Sequence, residues 1–171
     1  MKKLLLLAMS SIPFLPLQAQ KESDKAKSNA EVFSEKAGSL IQKEFEPAGT
    51  VARCKIEVVH YKDLINGNKM TALRFEYGIN SRAAVLDADE VAGLLISLNT
   101  IKNNVLNTSP ANYTEVNYRS RDGFSGGCFS EKGKWTPFLK LVSYDSDSFI
   151  QLSLDDFNKL ITILQSAKAK M

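Results

Sequence analysis

The stretch LDADEV at residues 86–91 is matched 66 positions later by LSLDDF at residues 152–157. Further matches lie at the same offset: Leu73-Arg74-Phe75 corresponds to Leu139-Lys140-Leu141, and Leu94, Leu98 and Lys102 correspond to Leu160, Leu164 and Lys168. A pattern shared at a fixed offset predicts a supersecondary unit that occurs twice, with the two copies packed together around one core. We place the copies at about residues 50–106 and 113–171.

Each copy has the pattern of a β-meander followed by a helix. In the first, residues 54–58 alternate between apolar and charged side chains, Asn66-Gly67 is a strong hairpin signal, and Asp87 with Glu90 resembles a capping box. In the second, Ser153 and Asp156 occupy the matching helix-start positions. The predicted fold is therefore α+β, a mostly antiparallel sheet built from two meander-plus-helix units, with an additional N-terminal helix.

The N-terminal part divides into an export signal and a helix. Residues 1–20 combine Lys2 and Lys3 with an apolar run and the cleavage-like sequence Gln18-Ala19-Gln20, so we expect a signal peptide and a periplasmic or secreted protein without a further membrane segment. Residues 21–46 are predicted to be a polar tail and a helix. The apolar face of that helix, over residues 29–45, would comprise Phe33, Ala37, Leu40, Ile41 and Phe45. Residues 47–171 form the single α+β domain of this scheme.

The charge of the chain argues against a nucleic-acid partner. The formal net charge is +3, and it falls to +1 without Lys2 and Lys3. Binding to nucleic acid generally requires a dense cationic face. The local clusters at residues 119–121 and 132–140 alternate with other residues and are typical of solvated strand edges.

Cys54 and Cys128 are the two cysteines of the chain. In an oxidising compartment they could form a disulfide, which would contribute about 4 kcal/mol in the chain-entropy model. Two buried thiols that never meet are the equally weighted alternative, because free cysteine is among the most buried residue types.

The segment Gly123-Phe124-Ser125-Gly126-Gly127 matches the G-x-S-x-G pattern of hydrolases. A nucleophile elbow needs a strand, a sharp turn and then a helix, whereas residues 128–130 continue as a strand, and the chain has no histidine downstream of Ser125. A glycine-rich bend in a hairpin explains the segment without catalysis.

The remaining polar patterns predict no metal and no cofactor. His60 is the only histidine, and neither cysteine lies at a metal-ligand spacing from it. Asp145, Asp147 and Asp156 fall in an EF-hand-like register, but an isoleucine occupies the position where that loop requires glycine.

One strand is apolar on both faces. Residues 135–144 carry Leu139 and Leu141 at one parity and Phe138, Val142 and Tyr144 at the other, and Tyr61 lies opposite the Cys54 face of its own strand. Two interpretations follow: the helix of residues 29–45 covers this second face, or the face binds a partner. Tyr61, Phe138, Val142 and Tyr144 are therefore the candidate binding residues.

The Gln-Ala-Gln signal-peptide ending and the sequence FIQLSLDDF at residues 149–157 resemble small secreted bacterial domains of unknown function. That resemblance implies no activity and no site residues. The leading hypothesis is a non-catalytic module that binds a protein, a peptide or a small apolar ligand. The alternatives are a secreted hydrolase using Ser125 or the carboxylates of Asp145 and Asp147, and a structural or inhibitor-like envelope protein.

Overall fold

The computed structural model describes residues 26–171. The predicted signal peptide and residues 21–25 lie outside this range. The strands are β1 Ile41–Val51, β2 Cys54–Asp63, β3 Lys69–Tyr77, β4 Arg82–Asp87, β5 Thr114–Arg119, β6 Ser125–Glu131, β7 Lys134–Lys140 and β8 Phe149–Gln151. The helices are α1 Asn29–Ser34, α2 Ala88–Thr100 and α3 Leu154–Lys168, and one π-helical turn, Ile101–Val105, extends α2.

The fold is α+β and consists of two similar units, as the sequence predicts. Strands β1–β4 form one antiparallel sheet in sequential order and are followed by α2; strands β5–β8 form a second sheet in the same order and are followed by α3. We call these the first and second sheets. At an offset of 66 residues, α2 aligns with α3 and β3 aligns with β7. The repeated sequence pattern therefore corresponds to the C-terminal half of each unit.

Local sequence signals account for the turns and helix starts. Gly67 has a φ of +78°, which a side chain would disfavour, and it closes the β2–β3 hairpin. At the start of α2, the Glu90 carboxylate accepts a hydrogen bond from the backbone N of Asp87 at 3.0 Å. At the start of α3, Ser153 Oγ accepts from the backbone N of Asp156 at 3.0 Å.

Both sheets and both long helices contribute to one hydrophobic core. The inner face of each sheet packs on α2 and α3, and Phe75 of the first sheet meets Phe124, directly before β6, with ring centroids 5.0 Å apart. The packing between units is reciprocal, since α2 contacts β5 of the second unit and α3 contacts β1 of the first. The two units therefore complete each other's core.

The N-terminal helix is much shorter than the sequence predicts. The prediction of a helix over residues 29–45 is correct only for Asn29–Ser34, and the residues from Ile41 onward form β1. Strand β1 is an edge strand paired with β2, and a bulge between Pro47 and Gly49 accommodates the proline. The domain therefore contains a strand that the sequence analysis assigned to the N-terminal segment.

Helix α1 covers part of the outer face of the first sheet. Ala30 is fully buried against Val59, Tyr61 and Ala72, and Phe33 packs edge-on against Tyr61. The helix is therefore a lid on the first sheet and does not cover the Phe138 face, so that part of the prediction is wrong.

Helices capable of crossing a membrane are not found among residues 26–171, because each is too short or too polar.

Candidate functional site

The helices that contact the second sheet, α2 and α3, pack on its inner face, and no helix of residues 26–171 is seen to cover its outer face. Because side chains alternate along a strand, the burial of Cys128, Leu139 and Ile150 in the common core directs the side chains of their sequence neighbours outward. Two cross-strand rows result: Asn117–Gly127–Phe138–Gln151 and Arg119–Ser125–Lys140–Phe149.

Four aromatic rings form a continuous cluster on this face. Phe138 and Phe149 stack with centroids 5.1 Å apart, Phe129 lies 6.2 Å from Phe138, and Tyr113 lies 6.4 Å from Phe129. Phe138 at the centre is only 5% exposed, whereas Phe149 is 36% and Tyr113 is 64% exposed. Phe138 belongs to neither hydrophobic core cluster, so its neighbours on the outer face provide its burial.

A cationic row borders the aromatic cluster. Ser125 pairs with Arg119 on one side and with Lys140 on the other, so two positive side chains flank one hydroxyl. The Arg119 guanidinium donates a hydrogen bond to Ser143 Oγ at 3.3 Å, and Ser143 Oγ donates to the carbonyl of Gly123 at 2.8 Å. This chain of bonds holds Arg119 over the sheet.

Gly127 allows β5 and β6 to approach closely in the middle of the face. A Cβ at this position would lie 2.2 Å from the carbonyl oxygen of Val116 and 2.6 Å from Cα of Asn117. Both atoms belong to the backbone of β5, so only glycine permits this close approach of the two strands.

These features enclose a half-open pocket of about 240 Å³. Arg119, Ser125, Lys140 and Ser143 line one end, and Phe138 with Phe149 forms an apolar wall. Glu115 lines the opposite end, where its carboxylate accepts a hydrogen bond from the Tyr113 hydroxyl, and that bond raises the pKa of Tyr113. The pocket therefore has a cationic end, an apolar wall and an acidic end.

The surroundings of Ser125 are unsuited to a nucleophile. Its two neighbours across the sheet are cations, which cannot accept its proton as a general base must. His60 lies in β2 of the first sheet, where its ring nitrogens are 3.4 Å from a Glu46 oxygen and from Thr71 Oγ1. The predicted bend at residues 123–127 comprises the end of the β5–β6 turn, at Gly123 and Phe124, and the first three residues of β6.

The carboxylates of Asp145 and Asp147 are bound by Arg82. The guanidinium donates to Asp145 at 2.6 Å and to Asp147 at 3.0 Å, and these bonds join the first unit to the second. The hydrogen bond from Arg82 lowers the pKa of Asp145, which is the opposite of what a general acid requires. The pair has a sufficient role as a bridge between units.

The described residues form neither a metal site nor a reactive thiol. Within residues 26–171 no group of three or more histidine, cysteine or acidic side chains is arranged to hold a metal ion. Cys54 and Cys128 are buried, free thiols in the structure, so the disulfide weighed from the sequence is not present in it. Burial raises the pKa of Cys54 to about 12 and that of Cys128 to about 11.

The four candidate binding residues do not share one surface. Tyr61 is 4% exposed and lies under α1 on the first sheet, and Phe138 lies on the outer face of the second. Strand β7 ends at Lys140, so Val142 and Tyr144 follow it in a turn; Val142 packs against the main core, and Tyr144 is 85% exposed. Of the four, only Phe138 lines the pocket.

The binding residues predicted from the sequence did not include Arg119, Lys140, Phe129 or Phe149. Lys140 shares the parity of Phe138, and this signal was available. The position of Arg119 opposite Ser125 depends on the register of the β5–β6 hairpin, which the sequence pattern does not define.

Comparisons with known proteins returned no matching family model, no matching curated protein and no matching solved structure. The resemblance to small secreted bacterial domains therefore remains a prediction, and the site must be interpreted from its own chemistry.

Proposed function

We propose that this protein is a non-catalytic binding module and that the outer face of its second sheet is the binding surface. The observation that carries the proposal is the aromatic cluster beside the pocket, on a face without a covering helix in the described part of the chain. The first sheet supports this by contrast, since the apolar cluster around Val59 and Tyr61 on its outer face lies beneath α1.

The exposure of the aromatic rings favours a binding role over a purely structural one. A sheet needs one buried face, and the inner face of the second sheet already supplies the core. Aromatic side chains that cluster on the other face add nothing to that core, and clustered exposed apolar groups are typical of ligand grooves and interaction sites.

The contacts of the polar groups favour binding over hydrolysis. The cations beside Ser125 and the arginine that holds Asp145 and Asp147 both oppose the acid–base chemistry that a hydrolase needs. They are compatible with electrostatic recognition of a ligand.

We also propose that the module acts in the periplasm or outside the cell. Support comes from the positively charged start, the apolar run and the Gln-Ala-Gln sequence of residues 1–20. N-terminal sequencing of the protein from its host should begin near residue 20, and full-length material in the cytoplasm would contradict this proposal.

The binding surface can be tested with isotope-labelled protein and a library of small aromatic fragments. We expect the amide signals of β5–β8 that shift on fragment addition to cluster around Asn117, Gly127 and Phe138. Phe149→Ser should weaken the binding of these fragments, because it removes one wall of the pocket.

Tyr144→Ser is the matched control, because Tyr144 is also an exposed aromatic residue of the second unit but does not line the pocket. It should leave fragment binding unchanged. Fragments that bind at other positions only, or that bind Phe149→Ser equally well, would overturn the proposal.

A further inference from the structure

We infer that the pocket on the second sheet binds a carboxylate attached to an apolar or aromatic group, either a small free acid or the C-terminal residue of a peptide. This inference rests on the proposed function and defines the ligand of that site.

Neither of the two cations at the pocket forms an ion pair with a carboxylate within residues 26–171, although Lys140 lies near enough to Asp145 to help lower its pKa. Three other arginines each bind at least two carboxylates: Arg74 binds Glu57 and Glu76, Arg82 binds Asp145 and Asp147, and Arg121 binds Asp87 and Asp89. Arg119, by contrast, forms its hydrogen bond with the neutral hydroxyl of Ser143. Arg119 and Lys140 therefore present positive charge to the pocket that an anionic ligand can balance.

The donors at this end suit a planar anion. A guanidinium has five N–H donors, of which Ser143 uses one, and its flat fork matches the two oxygens of a carboxylate. Lys140 adds an ammonium group, and Ser125 adds a hydroxyl on the same cross-strand row. A carboxylate placed above Ser125 would thus meet donors from three adjacent strands.

The neighbouring wall suits an apolar group. Phe138 and Phe149 stack beside the cationic row, and Phe149 directly opposes Lys140 across β7 and β8. A group attached to the bound carboxylate would lie against these rings, where an aromatic ring gains about 0.5–1.5 kcal/mol beyond the burial of its area. The volume of about 240 Å³ accommodates a carboxylate with one ring or one large side chain.

Glu115 defines the direction of the ligand. It lies four residues before Arg119 on the same face of β5, about 13 Å away at the rise of an extended strand. A second anionic group at that end would be repelled. The carboxylate therefore belongs at the Arg119 end, and the apolar group points towards the middle of the sheet.

The direct test is an NMR titration of the labelled protein with 3-phenylpropionate, its neutral analogue 3-phenylpropan-1-ol, propionate and inorganic phosphate. We expect 3-phenylpropionate to bind at least about fivefold more tightly than the alcohol, because only the acid forms charge-assisted hydrogen bonds. Added salt should lower the affinity for 3-phenylpropionate and leave the affinity for the alcohol unchanged. Propionate and phosphate should bind more weakly than 3-phenylpropionate, because they lack a group that contacts Phe138 and Phe149.

Arg119→Gln and Lys140→Gln should each remove the preference for the acid while retaining the affinity for the alcohol. Lys134→Gln is the matched control, because Lys134 lies on the same strand and at the same parity as Lys140 but does not line the pocket. It should have no effect on either probe.

The tripeptide Ala-Ala-Phe with a free or an amidated C-terminus separates the two sources of the carboxylate. Tighter binding of the free tripeptide than of 3-phenylpropionate identifies a peptide C-terminus, and binding of 3-phenylpropionate without the tripeptide identifies a small acid; either result supports the inference. Equal binding of acid and alcohol at the pocket would overturn the inference and leave the proposed function intact. If none of the probes shifts the signals of the outer face, both are overturned.

Discussion

At the scale of single residues, Asp87 joins three parts of the chain. Its buried carboxylate accepts hydrogen bonds from the backbone N of Asn29 at 2.7 Å and of Ala30 at 3.1 Å, and it binds the guanidinium of Arg121 at 2.5 Å. The sequence predicts its role at the start of α2, because that signal is local. The contacts with α1 and Arg121 bridge more than 30 residues and have no local signature.

Replacing Asp87 should destabilise the protein. Asp87→Asn retains the shape but weakens the acceptor for two backbone donors and Arg121, so we expect the free energy of unfolding to fall by about 1–3 kcal/mol. Asp89→Asn is the control, because the Asp89 side chain is 66% exposed and its bond to Arg121 is largely screened by solvent. Urea unfolding of both variants measures the difference, and equal losses would contradict this account of Asp87.

The two cysteines should be unreactive thiols in the folded protein. Cys54 and Cys128 are buried with raised pKa values of about 12 and 11, so neither thiolate forms at neutral pH. Ellman's reagent should detect no thiol before unfolding and two afterwards. Absence of both thiols after unfolding under non-reducing conditions would demonstrate a disulfide instead.

The same pKa values predict a loss of stability in alkali. The folded-state pKa of Cys54 lies above its ordinary value of 9.0, so the unfolded chain releases this proton first as the pH rises. The contribution of Cys54 is complete below pH 9 and is lost as the pH rises towards about 12. Cys54→Ala should reduce this alkaline slope.

At the scale of elements, β1 shows why the predicted N-terminal helix failed. Leu40 directly before β1 and Ile41 and Phe45 within it have helical spacing. However, Leu40 and Phe45 are exposed, and β1 is held by its ladder with β2. An edge strand with a mostly exposed face has little period-2 signal. Pairing with a distant strand thus overrides the local pattern, whereas β2, β3 and both long helices retain clear signals because they have a buried face.

The lid formed by α1 can be tested with two substitutions in the same helix. Ala30→Glu places a charge between α1 and the first sheet, so it should lower the free energy of unfolding by about 2 kcal/mol or more and increase the binding of hydrophobic dyes. Val32→Glu makes the same change at a position that is 58% exposed. It should leave both measurements close to the wild type, and a similar loss from both variants would contradict the lid.

At the scale of the whole molecule, the reciprocal packing of helices and first strands predicts one cooperative fold. Trp135 is the only tryptophan and lies in β7, so its fluorescence reports on the second unit. Leu73→Ala removes a fully buried side chain from the first unit and should cost about 2–5 kcal/mol. The transitions followed by Trp135 fluorescence and by far-UV circular dichroism should shift together. An unchanged Trp135 transition would mean that the units fold independently.

The sequence predicts the duplication but not the arrangement of its copies. The repeated helix starts and apolar positions are local, so two meander-plus-helix units could be inferred. Whether the copies share one sheet or form two depends on contacts between residues far apart, and the same holds for the row that brings Arg119 to Ser125. The alternation of side chains along β7 correctly placed Phe138 on the face opposite Leu139. It could not show which sheet α1 covers.

The central claim is that the outer face of the second sheet is open, whereas the apolar cluster around Tyr61 on the outer face of the first sheet is covered by α1. Hydroxyl-radical footprinting of the native protein tests this claim most directly. Mass spectrometry should show rapid oxidation of Tyr113 and Phe149, which are 64% and 36% exposed, and protection of Tyr61, which is 4% exposed. Addition of 3-phenylpropionate should protect Phe149. Oxidation of Tyr61 as fast as that of Tyr113, or protection of both Tyr113 and Phe149 in the free protein, would contradict the claim.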